Sequence, residues 1–166
     1  HPALAGLGVQ PDDEGLGDEG ILLRNVGADT VLYGGVRGVL YAVYTLLEDH
    51  LGCRWFTADC QTWPTAGRLV VPALNEQFVP ALEYRATDYP NSRPPEFAVR
   101  NRLNGQLADA SPEWGGRISY AGFVHTFNSL VPVETYFGTH PEYFSEINGE
   151  RTASYTQLCL TNPDVL

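Results

Sequence analysis

The sequence predicts an α/β chain in two parts: a small α+β domain of ββαββ pattern over residues 20–78, then strand–helix units over residues 79–166. Three observations carry this. Apolar residues recur at helical spacing from Val36 to Leu51, flanked by runs rich in strand formers. Prolines bracket a mostly polar connector, "PALNEQFVPA", at residues 72–81. Beyond it, proline and asparagine stand where helices should start after short apolar runs.

Residues 1–19 are rich in glycine, proline and acid and keep no period of 2 or 3.6, so they read as a loop or a truncated edge. The acids Asp12, Asp13, Glu14, Asp18 and Glu19 lack the alternating spacing of a calcium loop and read as a solvated charge run. "GILLRNVGADTVLY" gives two strands around a turn near Gly27, Ala28 and Asp29. Val36, Val39, Leu40, Val43, Leu46, Leu47, His50 and Leu51 then line one face of a helix that Gly52 ends. "CRWF" and "GRLVVP" complete the pattern as two further strands.

In the second part, Leu82 to Tyr89 reads as a strand, and Pro94 and Pro95 open a helix that stops at Gly105. A second strand is expected at Ala121 to Thr126. Short helical pieces follow at Val133 to Tyr136 and around Glu142 to Phe144, then a hairpin with Asn148-Gly149 at its tip. Gln157 to Leu160 reads as a third strand, after which Asn162 caps a helix with Pro163 in its first position. Such units point to an α/β barrel or an open parallel sheet. An eight-unit barrel takes about 250 residues, so the two or three units after residue 80 would leave it incomplete.

Composition narrows the partners. With 20 acidic residues against 10 basic ones, the chain carries a net charge of −10 and no broad positive surface for a nucleic-acid backbone. No apolar run approaches the roughly 20 residues of a spanning helix. The chain begins at His1 and contains no methionine, which reads as a processed or cloned start in preference to a copper-chelating terminus. Cys53, Cys60 and Cys159 form no CxxC pair and no zinc-finger spacing, so no metal is expected; Cys53 and Cys60 read either as a bridge or as reduced thiols. "GGVRGV" lacks the Lys-Ser/Thr of a phosphate loop and the glycine spacing of a dinucleotide turn, and no cofactor is expected.

The stretches "GGVRGVLYAVYTLLEDHLGCRWF", "YRATDYP", "RNRLNG", "GFVHTF", "HPEYFSEINGER" and "QLCLTNPDVL" together resemble the N-terminal half of bacterial proteins known as domain of unknown function 4838, which are grouped with glycoside hydrolase family 163, endo-β-N-acetylglucosaminidases acting on N-glycans. The small domain is more distantly similar to the non-catalytic N-terminal domain of family 20 hexosaminidases and family 67 α-glucuronidases, where a (β/α)8 barrel follows directly. The resemblance implies that residues 79–166 are the opening part of such a barrel. It further implies a secreted, periplasmic or cell-surface enzyme with a glycan substrate, whose catalytic carboxylates lie beyond Leu166 and whose partner is the remainder of its own barrel. This chain alone is then expected to be inactive.

Barrel sites gather at the C-terminal ends of strands, which selects Arg85 and Asp88 after the first strand, Asn104 near the end of the first helix, His125 and Thr126 after the second strand and Asn162 after the third as substrate-binding candidates. Arg85 matches the position of a sugar-gripping arginine in family 20 hexosaminidases; the competing reading is an ion pair with Glu83 or Asp88. His125 also reads as a satisfied interior histidine. Tyr89, Trp114, Tyr120 and Phe123 offer either sugar platforms or core. Glu134, Glu142 and Glu146 read as surface. Arg85, Arg93, Arg100 and Arg102 crowd into residues 83–105, the last three expected to pair with acidic groups or with the small domain. Two rival functions stand beside the hydrolase: a stand-alone carbohydrate-binding or interaction module, and an α-glucuronidase-like enzyme, for which an arginine would grip a carboxylate.

Overall fold

The computed structural model describes residues 2–65 and 67–165. The chain divides into two units, His1–Ser119 and Tyr120–Leu166. The first begins with two short helices, α1 (Pro2–Gly6) and α2 (Asp13–Leu16), where the sequence suggests loop. Sparse apolar residues explain the difference: Leu4, Leu7 and Val9 pack under the sheet against Leu22 and Val31, and Leu16 is buried. Three residues suffice to meet a sheet face without any sustained period.

Strands β1 (Ile21–Val26) and β2 (Asp29–Gly34) form the expected hairpin, turning at Gly27 with φ 61°. Ile21, Leu22 and Leu23 are all buried because β1 is covered on both faces: Leu22 meets the N-terminal segment, whereas Ile21 and Leu23 meet helix α3 (Gly38–Thr45). The sequence identifies that helix and part of its packed face, since Leu40 and Leu46 lie against the core, but it misses the residues that are buried most. Gly38, Tyr41, Ala42 and Thr45 point inward, while Val36, Val39 and Val43 are exposed. Close approach of two backbones selects the small residues, since a Cβ on Gly38 would stand 2.1 Å from the Gly20 carbonyl oxygen. A π turn, Leu46–His50, extends α3, and Gly52 at φ 78° ends it as expected.

The remaining expected strands are rearranged. Arg54–Trp55 (β3) pairs with Gln61–Thr62 (β4) in a separate hairpin, and "GRLVVP" joins no sheet, with Leu69 and Val70 exposed. The third strand of the main sheet, in the order β2-β1-β5, is instead β5 (Asn75–Phe78), inside the presumed connector. It is an antiparallel edge strand with all four residues exposed, held by its backbone pairing, by the buried Leu74 before it, and by surface contacts of Asn75 with Arg24 and of Glu76 with His50.

Leu82 to Tyr89 is not a strand. Its backbone pairs locally: Asn104 and Gly105 N–H groups donate to the Arg85 carbonyl, at 3.0 and 3.1 Å. Helix α4 (Pro95–Arg100) is shorter than expected, since Arg102 turns left-handed at φ 58° and Leu103 N–H closes back on Ala98 O at 2.8 Å. Ala98 packs on Ala108 and Ala110, which forms a second, alanine-lined core.

The second unit holds helices α5 (Phe127–Leu130) and α6 (Val133–Tyr136), then a hairpin of β6 (Glu146–Ile147) and β7 (Glu150–Arg151). Asn148 and Gly149, at φ 55° and 83°, make its turn as the sequence predicts. Phe144 anchors this unit edge-on to Phe137. Ala121–Thr126 forms turns instead of a strand, and Gln157–Leu160 contributes only a bridge between Leu158 and Phe144.

The architecture is therefore small α+β with antiparallel sheets. Among the described residues, parallel pairing is confined to one isolated bridge, Gly105 with Ile118, so the ladder that opening barrel strands would form is not there. No helix among them is long and apolar enough to cross a membrane. Cys53, Cys60 and Cys159 are free thiols.

Candidate functional site

Two of the sequence-selected residues, Arg85 and Asn104, meet at a carboxylate that the sequence places in solvent. Glu19 sits between α2 and β1, held in place because Arg37 and Gly38 N–H groups, opening α3, both donate to the Asp18 carbonyl at 2.9 Å. Its Oε1 accepts from Arg37 Nε at 2.7 Å and Asn104 Nδ2 at 2.5 Å, and its Oε2 accepts from Arg85 Nη1 at 2.7 Å. The Asn104 side chain is fully used: Nδ2 also donates to Glu83 O at 2.8 Å, and Oδ1 accepts from Arg85 N–H at 2.8 Å. That saturation allows a primary amide to lie at 0% exposure.

Arg85 therefore pairs with neither Glu83 nor Asp88. Its Nε donates to Arg102 O at 2.8 Å, its guanidinium lies 5.7 Å from the centre of the Tyr41 ring, and its Nη2 is buried with no hydrogen-bond partner among the described residues. Burial pushes the Glu19 carboxyl up, but the hydrogen bonds from Arg85, Asn104 and Arg37 outweigh this and hold it below the usual carboxylate range. Burial first, and then the Glu19 charge, push the Tyr41 phenol up. A carboxylate fixed by three donors is a structural anion; it has no proton to give a leaving group. An open cleft of about 410 Å³ runs past this hub, walled by Glu14, Asp18, Glu19, Glu83 and Arg37.

The other arginines of the cluster also have partners. Arg102 reaches Glu48 at 2.9 Å and Thr45 Oγ1 at 3.0 Å, and Arg100 donates to Gln61 Oε1 at 3.0 Å while lying over the Trp55 ring. Arg93 faces Asp88 at 3.7 Å, with both side chains largely in solvent. The expected pairing with acidic groups or with the small domain holds for all three: Arg93 with Asp88, Arg100 with Gln61 and Arg102 with Glu48.

His125, Thr126 and Asn162 belong to the second unit. His125 is exposed in a left-handed turn at φ 53°, and Thr126 precedes α5. Asn162 accepts from Asp164 N–H through Oδ1 at 3.0 Å, which is the capping role its sequence context suggests, and its Nδ2 donates to Glu142 O at 3.3 Å. Tyr120 and Phe123 stack on each other at 5.7 Å, both exposed. Trp114 packs against the cores of the first unit instead.

A second cleft, of about 470 Å³, is different in kind. Phe56 follows β3, Tyr89 ends the 82–89 segment, and Phe97 and Leu103 come from α4 and its exit; between them stand Thr57, Thr87, Asn91, Ser92 and Asn101. Phe56 is 62% and Tyr89 76% exposed, so their rings face solvent across the opening. Sequence reading singles out Tyr89 but misses Phe56, Asn91 and Asn101. Nothing local marks them, because the cleft forms only when the β3–β4 hairpin meets the start of α4.

A family model described as Domain of unknown function (DUF4838) matches residues 55–166. The chain belongs to this family. No curated protein and no solved structure matches the chain. All the residues that line the aromatic cleft fall inside the DUF4838 match, whereas Glu19 and Arg37 precede it. The DUF4838 segment thus contributes Arg85 and Asn104 to the buried hub and supplies the aromatic cleft entirely.

Proposed function

We propose that the chain is the glycan-holding part of a carbohydrate-active protein of the glycoside hydrolase type, similar to endo-β-N-acetylglucosaminidases, and that it holds sugar without cleaving it. One observation carries the reading: an open cleft that pairs solvent-facing aromatic rings with amide and hydroxyl groups. Sugar rings present apolar C–H faces and a rim of hydroxyls, and such a cleft answers both. Arg85 and Asp88 stand on the segment that delivers Tyr89; Arg85 fixes its course, and Asp88 lies exposed near its end. Glycan contact by Asp88, His125, Thr126 and Asn162 belongs to this proposal, as does a location outside the cytoplasm.

Hydrolysis requires two carboxylates flanking the scissile bond, one able to donate a proton. Glu19 does not meet that requirement, so the reacting pair is assigned to a catalytic barrel that this chain would join. A second reading, a binding module that needs no barrel, is favoured by the antiparallel sheets and by the local backbone pairing of residues 82–89.

Incubating the chain with a biantennary N-glycan tests the proposal through two readouts, binding by NMR titration and product release by mass spectrometry. Binding without cleavage is expected. Turnover by this chain alone, or no binding of any glycan, would overturn it. Analytical ultracentrifugation separates the two readings, because a self-sufficient module is monodisperse whereas a part awaiting its barrel self-associates through unpaired edges.

A further inference from the structure

We infer that the cleft between Phe56 and Tyr89 selects uncharged saccharides and rejects uronic acids; the inference rests on the sugar-holding reading above and names the substrate class of that same site. Among the described residues, no side chain of either charge lines the cleft. That is notable in a segment so rich in arginine. Arg85 is turned to Glu19, Arg100 to Gln61 and the Trp55 ring, and Arg102 to Glu48. Arg93 is matched by Asp88 outside the lining. A carboxylate entering the cleft would lose water and gain no cation in return. The net charge of −10 adds a repulsive field for any anion that approaches.

The hydrogen-bond inventory points the same way. Ser92 Oγ–H donates to Tyr89 O at 2.7 Å, so the 2.6 Å contact between Thr87 and Ser92 uses the Thr87 hydrogen. Both hydroxyls are left with lone pairs to offer and no hydrogen. Asn101 gives one amide hydrogen to Phe97 O at 2.9 Å and keeps a second N–H and its carbonyl oxygen. Asn91 is exposed at the opening and brings a whole amide. The cleft therefore offers acceptors alongside donors. Sugar hydroxyls are both and match that mixture; a carboxylate accepts only and leaves the lone pairs of Thr87 and Ser92 opposed to its own charge.

The test titrates the chain with cellotetraose, mannotetraose and chitotetraose and, separately, with tetragalacturonate, following amide shifts by NMR. At least one neutral tetrasaccharide is expected to bind at least about tenfold more tightly than tetragalacturonate, a gap of about 1.4 kcal/mol. Its affinity should not change between roughly 0.05 and 0.5 M salt, which spans weak to strong screening. Tyr89→Ala should weaken that binding about tenfold; the ring is largely exposed, so circular dichroism should show an unchanged fold. Asn91→Lys should bring in tetragalacturonate binding. If tetragalacturonate binds the native chain as tightly as the neutral sugars and weakens with salt, the charge selection is wrong while the sugar-holding reading stands. Neutral binding that survives both Tyr89→Ala and Phe56→Ala refutes the assignment to this cleft, and an Asn91→Lys variant no better for the uronate refutes charge as its basis. Binding of no saccharide at all defeats the functional reading itself.

Discussion

Replacing Glu19 by alanine tests whether the buried hub holds the first unit together. The carboxylate is the common acceptor for Arg37, Arg85 and Asn104, with side-chain exposures of 12% for Glu19, 13% for Arg37 and 17% for Arg85. Removing it leaves two guanidinium groups and an amide facing a small void, each having lost a charge-assisted hydrogen bond. Breaking a buried pair by deleting one partner costs about 3–5 kcal/mol, and the residual exposure of these groups sets the expectation at the lower end, about 3 kcal/mol. For a chain of this size that is a fall in Tm of roughly 6–12 °C. The loss should depend on pH with a definite sign. Glu19 is held below its ordinary value of 4.5 in the folded chain, so its contribution is complete at neutral pH and fades as pH falls through the folded value. Calorimetry at pH 7 and at stepwise lower pH should show the native and Glu19→Ala melting points converging below about pH 4.5. A Tm within about 2 °C of native at pH 7, or a gap that does not narrow as pH falls below Glu19's ordinary value of 4.5, would refute the reasoning.

Substitutions at two further positions probe how the hub is assembled. Gly38→Ala places a Cβ against the Gly20 carbonyl, where backbone meets backbone and nothing can yield; urea denaturation should show a loss of more than about 2 kcal/mol. Arg102 is left-handed and also holds Glu48, so Arg102→Ala keeps the strain and loses the ion pair, while Arg102→Gly loses the pair and relieves the strain; the glycine variant should be the more stable by about 1 kcal/mol in the same assay.

What the sequence made legible follows from the range of the forces involved. The β1–β2 hairpin, the end of α3 at Gly52, the Asn148-Gly149 turn and the Asn162 cap each depend on a few adjacent residues. Each appears where the sequence places it. Part of the inward face of α3 was hidden because Gly38 and Ala42 pack by being small, which hydropathy does not register. Strand β5 was hidden because all four of its residues are exposed and no apolar alternation marks it. Leu82–Tyr89 carries a strand-like composition, but its carbonyl and N–H groups find partners around Asn104, and no second strand lies alongside. Arg85 and Asn104 stood out as polar groups at the ends of apolar runs. Glu19 did not, since even its nearest partner, Arg37, is 18 residues along the chain and the other two are 66 and 85.

The hub also sets where this protein can be divided. The stretch recognisable as the family begins at Trp55, yet within it Arg85 is charge-paired and Asn104 hydrogen-bonded by a glutamate that precedes that stretch by many residues. Val99 of α4, likewise, is buried against Ile21, Leu23 and Tyr41, all upstream of residue 55. A polypeptide cut at the family boundary would keep every residue of the aromatic cleft and lose the counter-ion of Arg85 and the apolar partners of Val99. The portion that the family model matches and the portion that folds as a unit are therefore two different lengths of chain, and any dissection of the aromatic cleft has to start from the one that includes Glu19.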